Sequence, residues 1–220
     1  MAFLDNDGPG ITASQALRRL VEGNRRFARG DARFPTVQKK ILSQLAREQK
    51  PFATVLGCSD SRVPPELLFD ASFGDLFVIR IAGNALSADV AGSLQYAGVH
   101  LKTPLFVVLG HEGCGAVGAA VETHFEGARY RSRISTLVKQ IIPAIRNLNP
   151  KLAPDELLAQ GVEANVRWTM KQILGSPEGK MRLREGRMKL VGAIYQIKTG
   201  RVRFLTDEGS AKPRRVAKQQ

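Results

Sequence analysis

Two short stretches hold the residues whose types can do chemistry. Cys58-Ser59-Asp60-Ser61-Arg62 sets a thiol, a carboxylate and a guanidinium at alternate positions, directly after a β-forming apolar run, Phe52 to Leu56, that stops at Gly57. The same grammar returns downstream as Leu105 to Leu109, then Gly110, then His111-Glu112-Gly113-Cys114-Gly115. These are the only two cysteines in the chain, and one of its three histidines lies beside the second. Cys58, His111 and Cys114 make a soft ligand set of the kind zinc prefers. Three protein ligands leave a fourth position for water, which marks a catalytic rather than a structural site; a structural site wants a fourth Cys or His, and none is near.

Asp60 and Arg62 stand two apart, so in an extended turn they face the same side and can form a bidentate ion pair. Such a pair is often only structural. Beside zinc, a free carboxylate would compete with water for the metal, and Arg62 can hold Asp60 off the ion and aim it at the open position. His100 near a helix end and His124 on a helix read as surface or packing residues.

The elements that must position these groups follow from periodicity and punctuation. Thr12-Ala13-Ser14-Gln15 reads as a capping box that opens an amphipathic helix through Leu17, Leu20, Val21, Asn24, Phe27 and Ala28, ending at Gly30 with an arginine-rich outer face. A second helix places Val37, Ile41 and Leu45 in line and ends before Pro51. Phe52 to Leu56 is the first strand, and Pro64-Pro65-Glu66 starts a short helix. Leu76 to Ile79 is the second strand. Ser87 caps a helix through Val90, Leu94, Ala97 and Leu101, and Leu105 to Leu109 is the third strand. This βαβαβ order predicts a parallel sheet, and strands without alternation predict one covered on both faces. A helix follows Cys114, then helical patterns over Ile134 to Leu148, interrupted at Pro143, and Asp155 to Leu174. Leu190 to Tyr195 and Val202 to Leu205 around Thr199-Gly200 read as an antiparallel hairpin. Ligands collect at the carboxyl ends of parallel strands, where both sulfur-bearing loops lie.

The expected architecture is therefore α/β: a single domain over 1–206 with a central, mostly parallel sheet flanked by helices, an N-terminal helical arm at about 12–50 and a C-terminal hairpin, then a loose basic tail at 207–220. With 220 residues and 43% hydrophobic residues, the chain suits one buried core better than two. Neither a leader pattern at Met1 to Asp7 nor a membrane-length apolar run is visible, so a cytoplasmic protein without membrane contact is expected, and in a reducing compartment the cysteines read as thiolates. The net charge of +13 is unusual, but aromatics are only 6% of the chain, and specific nucleic-acid binding is not expected.

At the residues C-x-D-x-R and H-x-x-C the sequence resembles the β-class carbonic anhydrases, and the likeness extends from the first helix to the final hairpin. Gly74-Asp75-Leu76-Phe77-Val78-Ile79-Arg80, Ala82-Gly83-Asn84 and Cys114-Gly115 agree with it. The resemblance implies reversible hydration of CO2 to bicarbonate and a proton by a zinc-bound hydroxide. It makes Cys58, His111 and Cys114 the ligands of one zinc ion per chain, with Asp60 and Arg62 behind them and Asp60 a possible fourth ligand in a closed state. It further implies that Gln49, Phe77, Tyr96 and Gly115 line the substrate pocket, shared across a homodimer or a dimer-based tetramer. Val55 stands three residues before Cys58, where the branch regulated by non-catalytic bicarbonate carries Trp, so the plant-like, unregulated branch is implied. Glu112 is a departure, a carboxylate where small polar residues are common. Two alternatives remain open: hydrolysis of carbonyl sulfide or carbon disulfide on the same scaffold, and a non-catalytic zinc or redox-sensing module whose thiolates release metal on oxidation.

Overall fold

The computed structural model describes residues 8–34, 42, 43 and 45–205. Most of the second helix expected over 37–45, and the whole tail 207–220, lie outside these residues. Four strands run parallel: β1 (Ala53–Gly57), β2 (Leu76–Arg80), β3 (Leu105–His111) and β4 (Lys189–Gln196). A fifth, β5 (Arg201–Phe204), turns back antiparallel on β4, giving the order β2-β1-β3-β4-β5. Parallel neighbours need long crossovers, and helices supply them. Among the described residues the helices are α1 (Ala13–Arg29), which precedes the sheet, and, in the connections between strands, α2 (Pro65–Leu68), α3 (Ala88–Val99), α4 (Gly115–Phe125), α5 (Ser132–Ile145), α6 (Pro154–Gly175) and α7 (Pro177–Arg184).

Every residue of β1 and β3 is buried, because alternate side chains enter two separate cores. Val55, Leu105, Val107, Leu109 and Val191 meet Ala16, Leu20, Val63, Leu68 and Phe69 on one face. Leu56, Phe106, Val108 and Ile194 meet residues of α3 to α6, among them Leu94, Val117, Ile141 and Val166, on the other. Each fully buried Leu or Val contributes roughly 1.5–3 kcal/mol, so the inner strands are held from both sides. Helix α6 lies so close to the sheet that a Cβ on Gly110 would stand 2.6 Å from Val166 Cγ2. Only glycine fits there, one residue before His111.

Helix α1 has the expected capping box, with Thr12 and Gln15 bonded reciprocally, and ends on Gly30 at φ 77°. Its apolar stripe is seated on its own sheet, where Ala16 and Leu20 are fully buried. Asn24 staples it further, donating to the carbonyls of Leu68 (3.1 Å) and Gly200 (2.9 Å) and accepting from Val202 N (2.8 Å). The stripe therefore gives no argument for pairing with a second chain.

Two helical expectations change. The break expected at Pro143 does not occur: α5 runs through it to Ile145, because Ile141 and Ile145 are both fully buried and hold the last turn in place. Helix α7, which was not expected, is capped by Ser176 Oγ accepting from Gly179 N at 3.0 Å. Among the described residues, no helix is long and apolar enough to cross a membrane.

Candidate metal centre

Strand β1 ends at Gly57 and hands the chain to Cys58, while β3 ends on His111 itself. The two strands are hydrogen-bonded neighbours, with Gly57 opposite Leu109, so their carboxyl ends open onto one site. Cys114 is delivered by a tight turn in which Gly113 takes φ 64° and Glu112 N donates to Tyr195 O at 3.0 Å, and it caps the start of α4. The sulfurs of Cys58 and Cys114 and a ring nitrogen of His111 all lie within 4.8 Å of one another, and all three residues are buried.

This geometry fits a metal ion. His111 Nδ1 is 2.9 Å from Glu112 O, and since a carbonyl can only accept, Nδ1 carries the proton. Nε2 is then left with a bare lone pair, buried and, among the described residues, without a hydrogen-bond partner. A dry nitrogen acceptor beside two thiols is costly unless a cation fills the space between them. The thiols are already biased toward binding. The adjoining Cys114 is the main influence bringing Cys58 down to about 4; burial opposes it, and His111 and the main-chain amides of Asp60 and Gly83 assist. Cys114 is pushed up by the charge kept on Cys58 and by burial, so the pair shares one proton that an entering ion would displace. Burial resists charge on His111, but Cys58 beside it raises the ring above its ordinary value.

Asp60 and Arg62 form the expected fork. Arg62 Nε donates to Oδ1 at 2.9 Å, Nη2 to Oδ2 at 2.8 Å, and the Arg62 main-chain amide to Oδ1 at 3.0 Å. These bonds hold the Asp60 carboxyl far below the usual carboxylate range, against a modest opposing effect of burial. Oδ2 stands 3.9 Å from His111 Nε2, so an ionised oxygen overlooks the ligand group without belonging to it.

The expected pocket residues lie on separate elements. Phe77 on β2 is half-buried and pairs with Tyr96 of α3, ring centroids 6.0 Å apart; Tyr96 is exposed and also lies against His100 at 5.1 Å. Gly115 is the exposed first residue of α4, and Gln49 lies exposed in the segment leading into β1. His124 is exposed on α4, in keeping with its reading as a surface residue.

Sequence reasoning gave no role to two further groups. Arg80 clamps the Cys58 loop, Nε donating to Cys58 O at 3.0 Å and Nη2 to Asp60 O at 2.6 Å. Gly83 N donates to Cys58 Sγ at 3.3 Å. Both lie in the stretches that carry the resemblance, which was their only signal.

The carbonic anhydrase family model matches residues 53–202. A carbonic anhydrase of Mycolicibacterium smegmatis is 36% identical over 204 residues, spanning 91% of this chain and 97% of that protein. Carbonic anhydrase 2 of Mycobacterium tuberculosis is 35% identical over 195 residues, spanning 88% and 93%. Among solved structures, the Coccomyxa β-carbonic anhydrase in complex with acetazolamide is 29% identical, with a TM-score of 0.69 over 86% of each chain. The relatives span the strand ends that carry both motifs as well as the sheet behind them, and the chain belongs to the β-carbonic anhydrase family.

Proposed function

We propose that this chain catalyses the reversible hydration of CO2 to bicarbonate and a proton, with one zinc ion per chain held by Cys58 Sγ, His111 Nε2 and Cys114 Sγ. The observation that carries the reading is the position of Asp60, ionised, pinned by Arg62 and 3.9 Å from the unpartnered His111 Nε2. Zinc, when bound, supplies a Lewis acid that activates water near neutral pH. The protein does the rest. Arg62 keeps Asp60 charged and off the metal position. Asp60 accepts a hydrogen bond from a water in the open position and so fixes the direction of its lone pair. Arg80 holds the backbone that carries both Cys58 and Asp60. Phe77 and Tyr96 offer an apolar wall to a small nonpolar substrate, with Gln49 and Gly115 as the polar and open parts of the same pocket. A zinc-storing module has no use for the Asp60–Arg62 fork, which favours the enzyme.

We also propose a homodimer or a dimer-based tetramer in the cytoplasm. Strand β2 is the outer strand of the sheet; Phe77, Val78 and Ile79 on it are only half-buried, and Phe73 and Tyr96 nearby are exposed. An unpaired apolar edge of this kind is a natural place for a second copy. The two cysteines are free thiols, which suits a reducing compartment. Val55 is fully buried in the α1-side core, and we assign the chain to the branch without non-catalytic bicarbonate regulation. Stopped-flow CO2 hydration with metal analysis on the same sample tests the function: activity proportional to zinc supports it, and a zinc-loaded but inactive protein contradicts it. Sedimentation at micromolar concentration tests the assembly, which an active monomer would overturn.

A further inference from the structure

The hydrogen bond from Gly83 N to Cys58 Sγ, 3.3 Å long, depends on an unusual backbone. Gly83 sits in the short 3-10 turn Ala82–Asn84 with φ 66° and ψ 20°, a left-handed conformation. A Cβ there would stand 2.7 Å from Ile141 Cδ1 and 3.1 Å from Ala116 Cβ. The turn is tied at its start to the end of β1, Ile81 N donating to Gly57 O at 3.1 Å, and closed by Asn84 N to Ile81 O at 3.0 Å. Its exit is held from another part of the chain. Asn165 Nδ2 donates to Gly83 O at 2.7 Å, and Thr169 Oγ1 donates to Asn84 O at 3.2 Å.

Both donors lie one turn apart on the buried face of α6, 1% and 0% exposed, beside the core residues Val162 and Val166. An amide and a hydroxyl on such a face cost free energy unless bonded, and the two carbonyls they satisfy belong to the buried residues Gly83 and Asn84. We propose that Asn165 and Thr169 are positioning residues of the metal centre: by fixing the Gly83 and Asn84 carbonyls they hold the Gly83 amide on the Cys58 sulfur. That amide draws electron density from the thiolate, so it sets how strongly Cys58 donates to the ion. The inference rests on the zinc reading above and adds two residues, both more than fifty positions beyond Cys114, to the apparatus that tunes the site.

Cobalt put in place of zinc in the full-length protein reports on the sulfur directly, through its thiolate-to-metal charge-transfer absorption. Asn165→Leu and Thr169→Val should each move that band to longer wavelength, the first more than the second. Without that amide the sulfur is more basic and is protonated off the ion more readily, so both variants should also release zinc to a chelator up to about tenfold faster, the lower end of what loss of an outer hydrogen bond costs a metal site. Thr169→Ser, which keeps the hydroxyl, should return to the parent values. Thr103→Val is the control: Thr103 is also fully buried and bonded to Thr54 Oγ1 (2.8 Å) and Ala97 O (3.3 Å), but at the start of β1 rather than its end. It should lower Tm and leave the band in place. Parent-like band and release rate in folded Asn165→Leu and Thr169→Val proteins would overturn the proposal, as would an equal shift in Thr103→Val. If Asn165→Leu does not fold, the Thr169→Val and Thr169→Ser pair decides alone. A parent protein without any thiolate band would overturn the metal reading itself and this inference with it.

Discussion

Asp60 and Asp70 are both carboxylates bound to an arginine and both held below their usual range, yet they stand in opposite relations to chemistry. Asp60 is tied to Arg62, two residues away, and its Oδ2 overlooks a lone pair that has no hydrogen-bond partner among the described residues. Asp70 is tied to Arg26, which is distant in sequence, and its side chain is fully buried. Burial alone would push Asp70 up; Arg26 and the main-chain amides of Arg33 (2.8 Å) and Phe34 (3.2 Å) bring it down. It fastens the chain leaving α1 to the end of α2, at a left-handed φ of 45°. The contrast shows that a depressed carboxylate beside an arginine is not in itself a sign of catalysis; what singles out Asp60 is the unfilled acceptor beside it.

The comparison can be broken at several points. The largest effect is expected at the ligand group. Cys114→Ala should lose zinc and CO2 hydration together, read by metal analysis and stopped flow, whereas Asp70→Asn should keep the zinc and the rate per folded molecule. Arg62→Ala should keep its zinc and lose about 10²-fold in kcat/KM, near the upper end of what outer residues contribute at metal sites. Asp70→Asn should instead cost stability, roughly 3 kcal/mol in urea denaturation, because it strips a buried ion pair of one partner and leaves Arg26 uncompensated. The smallest effect is in the pH dependence of that loss. The folded pKa of Asp70 lies below its unfolded value, so its contribution is complete above about 4 and is lost as pH falls through the folded value. The gap in Tm between parent and Asp70→Asn, full at neutral pH, should therefore narrow on acidification. A gap that widened would reverse the assignment.

The two aspartates also show what the sequence could and could not reveal. The Asp60–Arg62 fork was legible because both partners lie in one turn after an apolar strand, and the strands themselves were legible because burial on both faces leaves unbroken apolar runs. Asp70 was silent: its partners Arg26, Arg33 and Phe34 come from a different part of the chain, and nothing local about it differs from a surface acid. Asn165 and Thr169 were hidden for the same reason, although a polar residue between Val162 and Val166 on a buried helical face was a readable anomaly. Helix α7 has Gly179 as its sole buried residue, so it has no apolar periodicity to detect, and only Ser176-Pro177 announced its start. Pro143 misled in the other direction, since a local rule about proline yielded to the packing of Ile141 and Ile145.

The central claim is that Arg62 acts by keeping Asp60 ionised and away from the position beside His111 Nε2. If so, Arg62→Ala suffers twice, losing the orientation of Asp60 and freeing a carboxylate to take that position. Adding Asp60→Asn to Arg62→Ala removes the competing carboxylate, because an amide is a much weaker ligand for zinc. The decisive measurement is kcat/KM for CO2 hydration by the zinc-loaded single and double variants side by side. The account predicts that the double variant is faster than Arg62→Ala while remaining well below the parent. A double variant slower than Arg62→Ala, with the two losses simply multiplying, would contradict it.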